Sequence, residues 1–173
     1  VVVEDRAVRT EADVRERLTT PCDLVVSIGG ASVGDYDVVR SAFAAEGFAP
    51  VFEKVAVKPG KPIMVASRGR QLVVGLPGNP VSSHVTAYHF LLPLLRALAG
   101  AGHPLPRPTT ARAAEDLPAC GVRQEFLRAH WDGYQVSVQI NQDSGALATL
   151  AASNALIERP ANAPAMSAGE AVS

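Results

Sequence analysis

The chain has 173 residues, 47% hydrophobic and 19% charged, a composition that can bury a core and excludes intrinsic disorder. Sixteen basic against seventeen acidic residues give a formal charge of −1. That excludes broad nucleic-acid binding, which needs a basic surface, so any anion site must be local. No apolar run approaches the roughly 18 residues of a membrane span, and no h-region follows Glu4-Asp5-Arg6, so neither a membrane protein nor a secretory leader is expected. Cys22 and Cys120 lie far apart, without Cys-x-x-Cys or Cys/His spacing. They read as two reduced structural thiols of a cytoplasmic protein, and zinc is disfavoured.

Val1–Val3 reads as a short strand and Ala7–Leu18 as a helix with Val8, Ala12 and Leu18 apolar. Leu24–Ile28 is a continuous apolar run, as in a strand buried on both faces. Val38–Glu46 is a helix with Val39, Ala42 and Phe43 on one face and Gly47 at C′. Val51–Val57 is rich in β-branched residues, and Ile63–Ala66 with Gln71–Gly75 reads as a hairpin around Ser67-Arg68-Gly69-Arg70. Val81–Leu98 is the longest predicted helix, with Val81, Val85, Tyr88, Leu92 and Leu95 on one face and a kink at Pro93. This alternation predicts an α/β fold, a mostly parallel sheet between helix layers, over residues 1–100. Gly100–Pro108 reads as a linker. From residue 109 to 173 the pattern is that of a small all-β module. Arg123–Trp131 and Gln135–Ile140 flank Asp132-Gly133, a type I′ hairpin signal; Gly145–Ala152 is a loop or short helix, and Ala155–Glu158 is a third strand. There is no initiating Met, and Ala168–Ser173 stops as another strand begins, so a fragment of a longer protein is expected.

Three segments carry chemistry. Gly29-Gly30-Ala31-Ser32-Val33-Gly34-Asp35 follows a predicted strand, where α/β sheets bind ligands. Gly29, Gly30 and Gly34 allow close backbone approach and Ser32 adds a hydroxyl. The segment is neither a Walker A loop nor a dinucleotide fingerprint. A tight turn needing positive φ would also explain its glycines. Asp35 and Asp37 stand two apart and could face one Mg²⁺, although Asp37 also suits the N-cap of the following helix. Lys58-Pro59-Gly60-Lys61 fits a type II turn that brings its ends within ~7 Å. On a regular strand Lys54 would share the face of Lys58, and such like charges call for an anion between them; a solvated charged turn is the alternative. In Leu76-Pro77-Gly78-Asn79-Pro80, Asn79 suits the N-cap and Pro80 the N1 position, with Ser82 and Ser83 in the first turn. The helix dipole favours an anion there, and an ordinary capped helix explains the residues equally well. His84 and His89 are off metal spacing; with His103 and His130 they read as structural or surface residues. The three loops are expected to converge on one pocket for a phosphorylated ligand.

In order and spacing, Ile28–Asp37, Val57-Lys58-Pro59-Gly60-Lys61-Pro62 and Gly75-Leu76-Pro77-Gly78-Asn79-Pro80-Val81-Ser82 resemble the molybdopterin molybdenumtransferase family, MoeA in bacteria and the gephyrin E domain. The resemblance covers nearly the whole chain but only the C-terminal part of a family member. It implies a molybdopterin-binding α/β domain up to about Gly100, lacking its first strand and helix, then a small β C-terminal domain. It implies molybdenum insertion into adenylylated molybdopterin (molybdopterin-AMP) from molybdate, with Mg²⁺ and release of AMP, in a cytoplasmic homodimer with no membrane or nucleic-acid partner. Asp37 matches the family's functional aspartate, with Asp5 as a further acidic residue for the metal. Lys54, Lys58 and Lys61 match lysines near the phosphates. In Glu125-Phe126-Leu127-Arg128 the arginine matches one that helps bind molybdate, and Ser144 of Gln142-Asp143-Ser144-Gly145 matches a molybdate-contacting serine. Catalysis is then electrostatic positioning rather than covalent. The alternatives are a molybdopterin adenylyltransferase, which needs no β module, and a non-catalytic binding or scaffold domain.

Overall fold

The computed structural model describes residues 10–29 and 38–173. The predicted Val1–Val3 strand therefore lies outside the described residues. The chain forms two compact units, Val1–Lys54 with Pro62–Gly78, and Val55–Lys61 with Asn79–Ser173.

In the first unit, α1 (Glu11–Leu18) opens with a capping box in which Thr10 Oγ1 accepts from Asp13 N at 3.2 Å and Asp13 Oδ2 from Thr10 N at 2.9 Å. Its buried face is Val14 and Leu18; Ala12, assigned to that face from sequence, is exposed. Helix α2 (Val38–Ala45) buries Val39, Ala42 and Phe43 as expected. Gly47 takes φ +77° and a Schellman motif ends the helix, with Phe48 N bonded to Phe43 O and Gly47 N to Ala44 O, both at 3.0 Å. The accompanying apolar contact is Phe43 on Phe48, ring centroids 6.0 Å apart.

The sheet of this unit runs β1 (Leu24–Ile28), β5 (Gln71–Leu76), β4 (Met64–Arg68), β2 (Ala49–Phe52). It is mixed rather than mostly parallel: β1 and β5 are parallel, whereas β4 pairs antiparallel with both β5 and β2. The cause is local. The β4–β5 hairpin turns in two residues, Gly69-Arg70, and a two-residue turn can join only antiparallel strands. Strand β1 is not buried on both faces; Val25 packs on the core while Val26 and Ile28 are 40% and 71% exposed. The β-branched run 51–57 is not one strand either. It breaks after Phe52, and Val57–Lys58 (β3) joins the sheet of the second unit. Arg68 ties both helix ends to β4: Nη2 donates to Leu18 O at 3.1 Å and Nη1 to Glu46 O at 2.8 Å, with the guanidinium over the Phe48 ring.

In the second unit, the predicted long helix is α3 (Pro80–Thr86), a π-helical segment Ala87–Leu91, and α4 (Leu92–Leu98). Pro93 cannot donate to the carbonyl four residues back and its ring would clash there. The wide turn relieves this just upstream, with Leu92 N bonded to Ala87 O, five residues back. The extra residue rotates the apolar face: Val81 and Val85 are buried, but Tyr88 and Leu95 are 44% and 46% exposed. Strand β7 (Gln124–Trp131) is the hub of the sheet, pairing with β3, β8 (Gln135–Val138) and β9 (Ala155–Arg159). Short strands β6 (Ala111–Ala113) and β10 (Ala171–Val172) extend it beyond β8, and α5 spans Leu147–Ala151. The β7–β8 turn differs from type I′. Only Gly133 has positive φ, +105°, whereas type I′ needs two such residues, and the Asp132 side-chain Oδ1 accepts from Tyr134 N and Gln135 N, both at 2.8 Å. Ala113, Leu117, Ala129, Val136, Ile157 and Val172 form the β core, and Val57, Val85 and Phe126 a second cluster. Among the described residues no helix is long and apolar enough to cross a membrane.

Candidate functional site

In the first unit, parallel β1 and β5 end side by side, Ile28 opposite Leu76. Just beyond, Gly29 N donates to Leu76 O at 3.0 Å and Gly29 holds φ +82°. A Cβ added to Gly78 would stand 3.2 Å from Gly29 Cα, closer than ordinary contact. The close approach favours glycine at 78, and the positive φ favours it at 29; the first and third sequence motifs meet here, at the sheet edge where α/β folds bind ligands. Pro77 is buried beneath this edge and Gly78 is exposed. Gly30, Ser32, Gly34, Asp35, Asp37 and Asp5 lie outside the described residues. Lys54 is exposed, but the regular strand that would align it with Lys58 is not formed, because the chain leaves β2 at Phe52.

In the second unit, the Lys58–Lys61 loop packs on α3. The Lys58–Pro59 peptide is cis, and Gly60 has φ +113°. Gly60 is buried, and any Cβ there would overlap the Thr86 methyl. Thr86 is itself buried, its hydroxyl donating to Ser82 O at 2.8 Å, so it has little room to yield. Glycine here seats the loop and leaves both lysines exposed. Lys58 Nζ lies 3.2 Å from Glu125 Oε1, a partner not foreseen from sequence; the parallel pairing of Lys58 with Glu125 brings it there. Among the described residues the Lys61 ammonium has no acidic partner.

The N-terminus of α3 is a closed cap, not an open anion site. Pro80 has no N–H, Asn79 Oδ1 accepts from Val81 N and Ser82 N at 3.2 and 3.3 Å, and Ser83 N donates to Asn79 O at 2.8 Å. The Ser82 side chain is buried. The remaining side of the Asn79 amide is the unexpected part: Nδ2 donates to Ser144 Oγ at 3.2 Å. Residues 65 positions apart in sequence, both singled out there, thus meet in one unit.

Arg128 is fully buried and does not reach solvent. Its Nη2 donates to the carbonyls of Asn141 and Asp143, at 3.4 and 3.1 Å, while Nε is buried without a partner among the described residues. Burial pushes its pKa down and the Asp143 charge pushes it back up. Gln142 exchanges hydrogen bonds with the Arg128 backbone, at 3.0 and 2.9 Å, and Asp143 Oδ1 accepts from Gly145 N at 2.7 Å. Arg128 therefore acts on the loop that carries Ser144. Sequence reading assigned Arg128 to the oxyanion directly and missed Gln142 and Asp143, whose bonds run to backbone and leave no periodic signal.

Of the histidines, His84, His103 and His130 are exposed. His89 stacks on Phe126 at 3.9 Å, with Nε2 buried and unpartnered among the described residues; burial lowers its pKa. Cys22 and Cys120 are free thiols. A cavity of about 640 Å³ in the second unit has His84, Tyr88, Trp131 and Leu156 in its walls and none of the motif residues. Among the described residues no group of three or more His, Cys, Asp or Glu could hold a metal ion.

Comparison with known proteins bears on these placements. Residues 1–97 match the family described as "Probable molybdopterin binding domain", and residues 110–173 the "MoeA C-terminal region (domain IV)". The chain is 42% identical over 99 residues to "Molybdenum cofactor synthesis protein cinnamon" of Drosophila melanogaster, a match covering 57% of this chain and 16% of that protein. It is 32% identical over 162 residues to "Molybdopterin molybdenumtransferase" of Nostoc sp., covering 87% and 36%. The crystal structure of a molybdopterin biosynthesis MoeA protein from Pyrococcus horikoshii superposes with a TM-score of 0.74 at 25% identity, covering 94% of this chain and 39% of that one. The chain therefore spans less than half the length of each of these relatives. A molybdopterin-binding region followed by the MoeA C-terminal region, in the motif order described above, makes this chain a member of the MoeA family.

Proposed function

We propose that this chain is the molybdopterin- and oxyanion-binding part of a molybdopterin molybdenumtransferase, which inserts molybdenum from molybdate into adenylylated molybdopterin and releases AMP. The observation that carries this reading is the Asn79–Ser144 bond, which joins the start of α3 to the loop matched to molybdate contact. We assign residues 1–100 to the pterin-binding domain and 109–173 to the C-terminal domain, supported by family matches at 1–97 and 110–173.

The division of labour follows from the chemistry of each group. Gly29 and Gly78 keep side chains away from the sheet edge, so the pterin is assigned there together with Gly30, Ser32, Gly34 and Asp35. Lys54, Lys58 and Lys61 supply ammonium donors for phosphate oxygens; Lys58 does so in competition with Glu125, whereas among the described residues Lys61 has no such competitor. Ser144 donates to the tetrahedral oxyanion, and Arg128 holds its loop in place. Asp37 is assigned the role of functional aspartate. The resemblance gives Mg²⁺ to Asp37 and Asp5, which lie outside the described residues, and among the described residues no group of three or more His, Cys, Asp or Glu could hold a metal ion. The enzyme acts as a cytoplasmic homodimer in the same proposal. In the full-length protein, Asp37→Ala abolishes molybdate-dependent release of AMP; turnover equal to the parent would remove Asp37 from the reaction. The adenylyltransferase alternative is disfavoured by the match at 110–173. Calorimetric titration with molybdopterin, then with an unrelated peptide, separates an enzyme from a scaffold.

A further inference from the structure

The Asn79 side chain is oriented unambiguously by its surroundings. Two backbone N–H groups, Val81 and Ser82, face one end of the amide, so that end is the carbonyl oxygen and the NH₂ faces Ser144. The Ser144 hydroxyl consequently accepts from Asn79, and among the described residues no acceptor takes the Ser144 proton. A hydroxyl with a lone pair engaged in this way has its O–H free to point at something else. The loop around it is held: Arg128 grips the Asn141 and Asp143 carbonyls, and Asp143 caps Gly145 N. Asn79 and Ser144 are both only half-buried, so a ligand can reach them.

From this we infer that Asn79 is a positioning residue: its amide N–H fixes Ser144 as a hydrogen-bond donor to a bound tetrahedral oxyanion. The inference rests on the proposed function and assigns to Asn79 a task distinct from capping α3. One residue then couples the start of α3 to the oxyanion loop.

The test separates the two tasks. Asn79→Ser keeps a capping oxygen of equal quality and no charge, but lacks the NH₂ and the reach to Ser144. Molybdate binding by the 173-residue chain is measured calorimetrically for the parent, Asn79→Ser, Ser144→Ala and the double variant. The expected result is a Kd raised about tenfold by Asn79→Ser, with the thermal midpoint within about 3 °C of the parent. In the Ser144→Ala background the same change alters Kd by less than about twofold, because its only route is gone. Hydrogen exchange at Gly145 and Ala146 also rises in Asn79→Ser without ligand, while α3 keeps its protection. Equal effects in both backgrounds, or no effect on Kd, overturn the inference alone. No molybdate binding by the parent overturns the functional reading and the inference with it. Should Asn79→Ser fail to fold, Asn79→Thr keeps an uncharged capping oxygen, likewise lacks the NH₂, and enters the same cycle.

Discussion

The two units are held together by different means. The first is an apolar core with hydrogen-bonded helix ends: Val14, Leu18, Phe43, Phe48 and Val73 are buried, and its helix termini are closed by a capping box, a Schellman motif and Arg68. The second has small apolar clusters and two buried arginines, Arg128 and Arg159, whose guanidiniums donate to loop carbonyls. Burial of nonpolar area stabilises without direction. A buried guanidinium fixes particular carbonyls in particular places and leaves a large penalty if its partners are lost. In the first unit Arg68 fixes helix ends in this way; in the second, Arg128 fixes the candidate oxyanion loop.

Breaking the first unit needs only volume. Phe43→Ala removes a ring that is 2% exposed and packs at a tilt against Phe48. It costs about 3–5 kcal/mol, read as a lower urea midpoint, and a cost under ~1 kcal/mol would show that this core is not what holds the unit. In the second unit the matching change is Arg128→Met, which conserves much of the volume but strands the Asn141 and Asp143 carbonyls. Its cost is about 2–3 kcal/mol, with faster hydrogen exchange over residues 141–146. An unchanged loop would mean that Gln142 alone suffices.

The smallest effect is a pH dependence confined to the second unit. Burial holds the His89 pKa below its usual value. Below about pH 6.5 the unfolded chain then binds this proton more readily than the folded one, so the stability is present above that pH and is lost as pH falls through it toward the folded value. The thermal midpoint at pH 5.5 should fall relative to pH 7.5 by more in the parent than in His89→Gln. Equal falls would assign the dependence to other groups.

Helix α2 and its Gly47 stop were legible because a buried face repeats at helical spacing and a positive φ demands glycine. The positive φ of Gly29 was legible too, but the close contacts at 60 and 78 were not. Those two are set by neighbours distant in sequence: Gly29 Cα for Gly78, and the Thr86 methyl for Gly60. The 51–57 run misled because β-branched composition says nothing about which sheet a residue joins. The long helix misled because a proline's missing N–H can be absorbed by a π turn upstream, and that rotates every later side chain.

Length, composition and motif order alone determined that this is an α/β chain followed in sequence by a β module. Those depend on composition and on spacing along one chain. Tertiary structure decided that α3 is capped rather than open, that Arg128 grips a loop rather than solvent, and that Asn79 reaches Ser144. The cap bonds are local, but the other two join residues 15 and 65 positions apart, and a hydrogen bond of that kind is defined only once the backbone has brought donor and acceptor to about 3 Å.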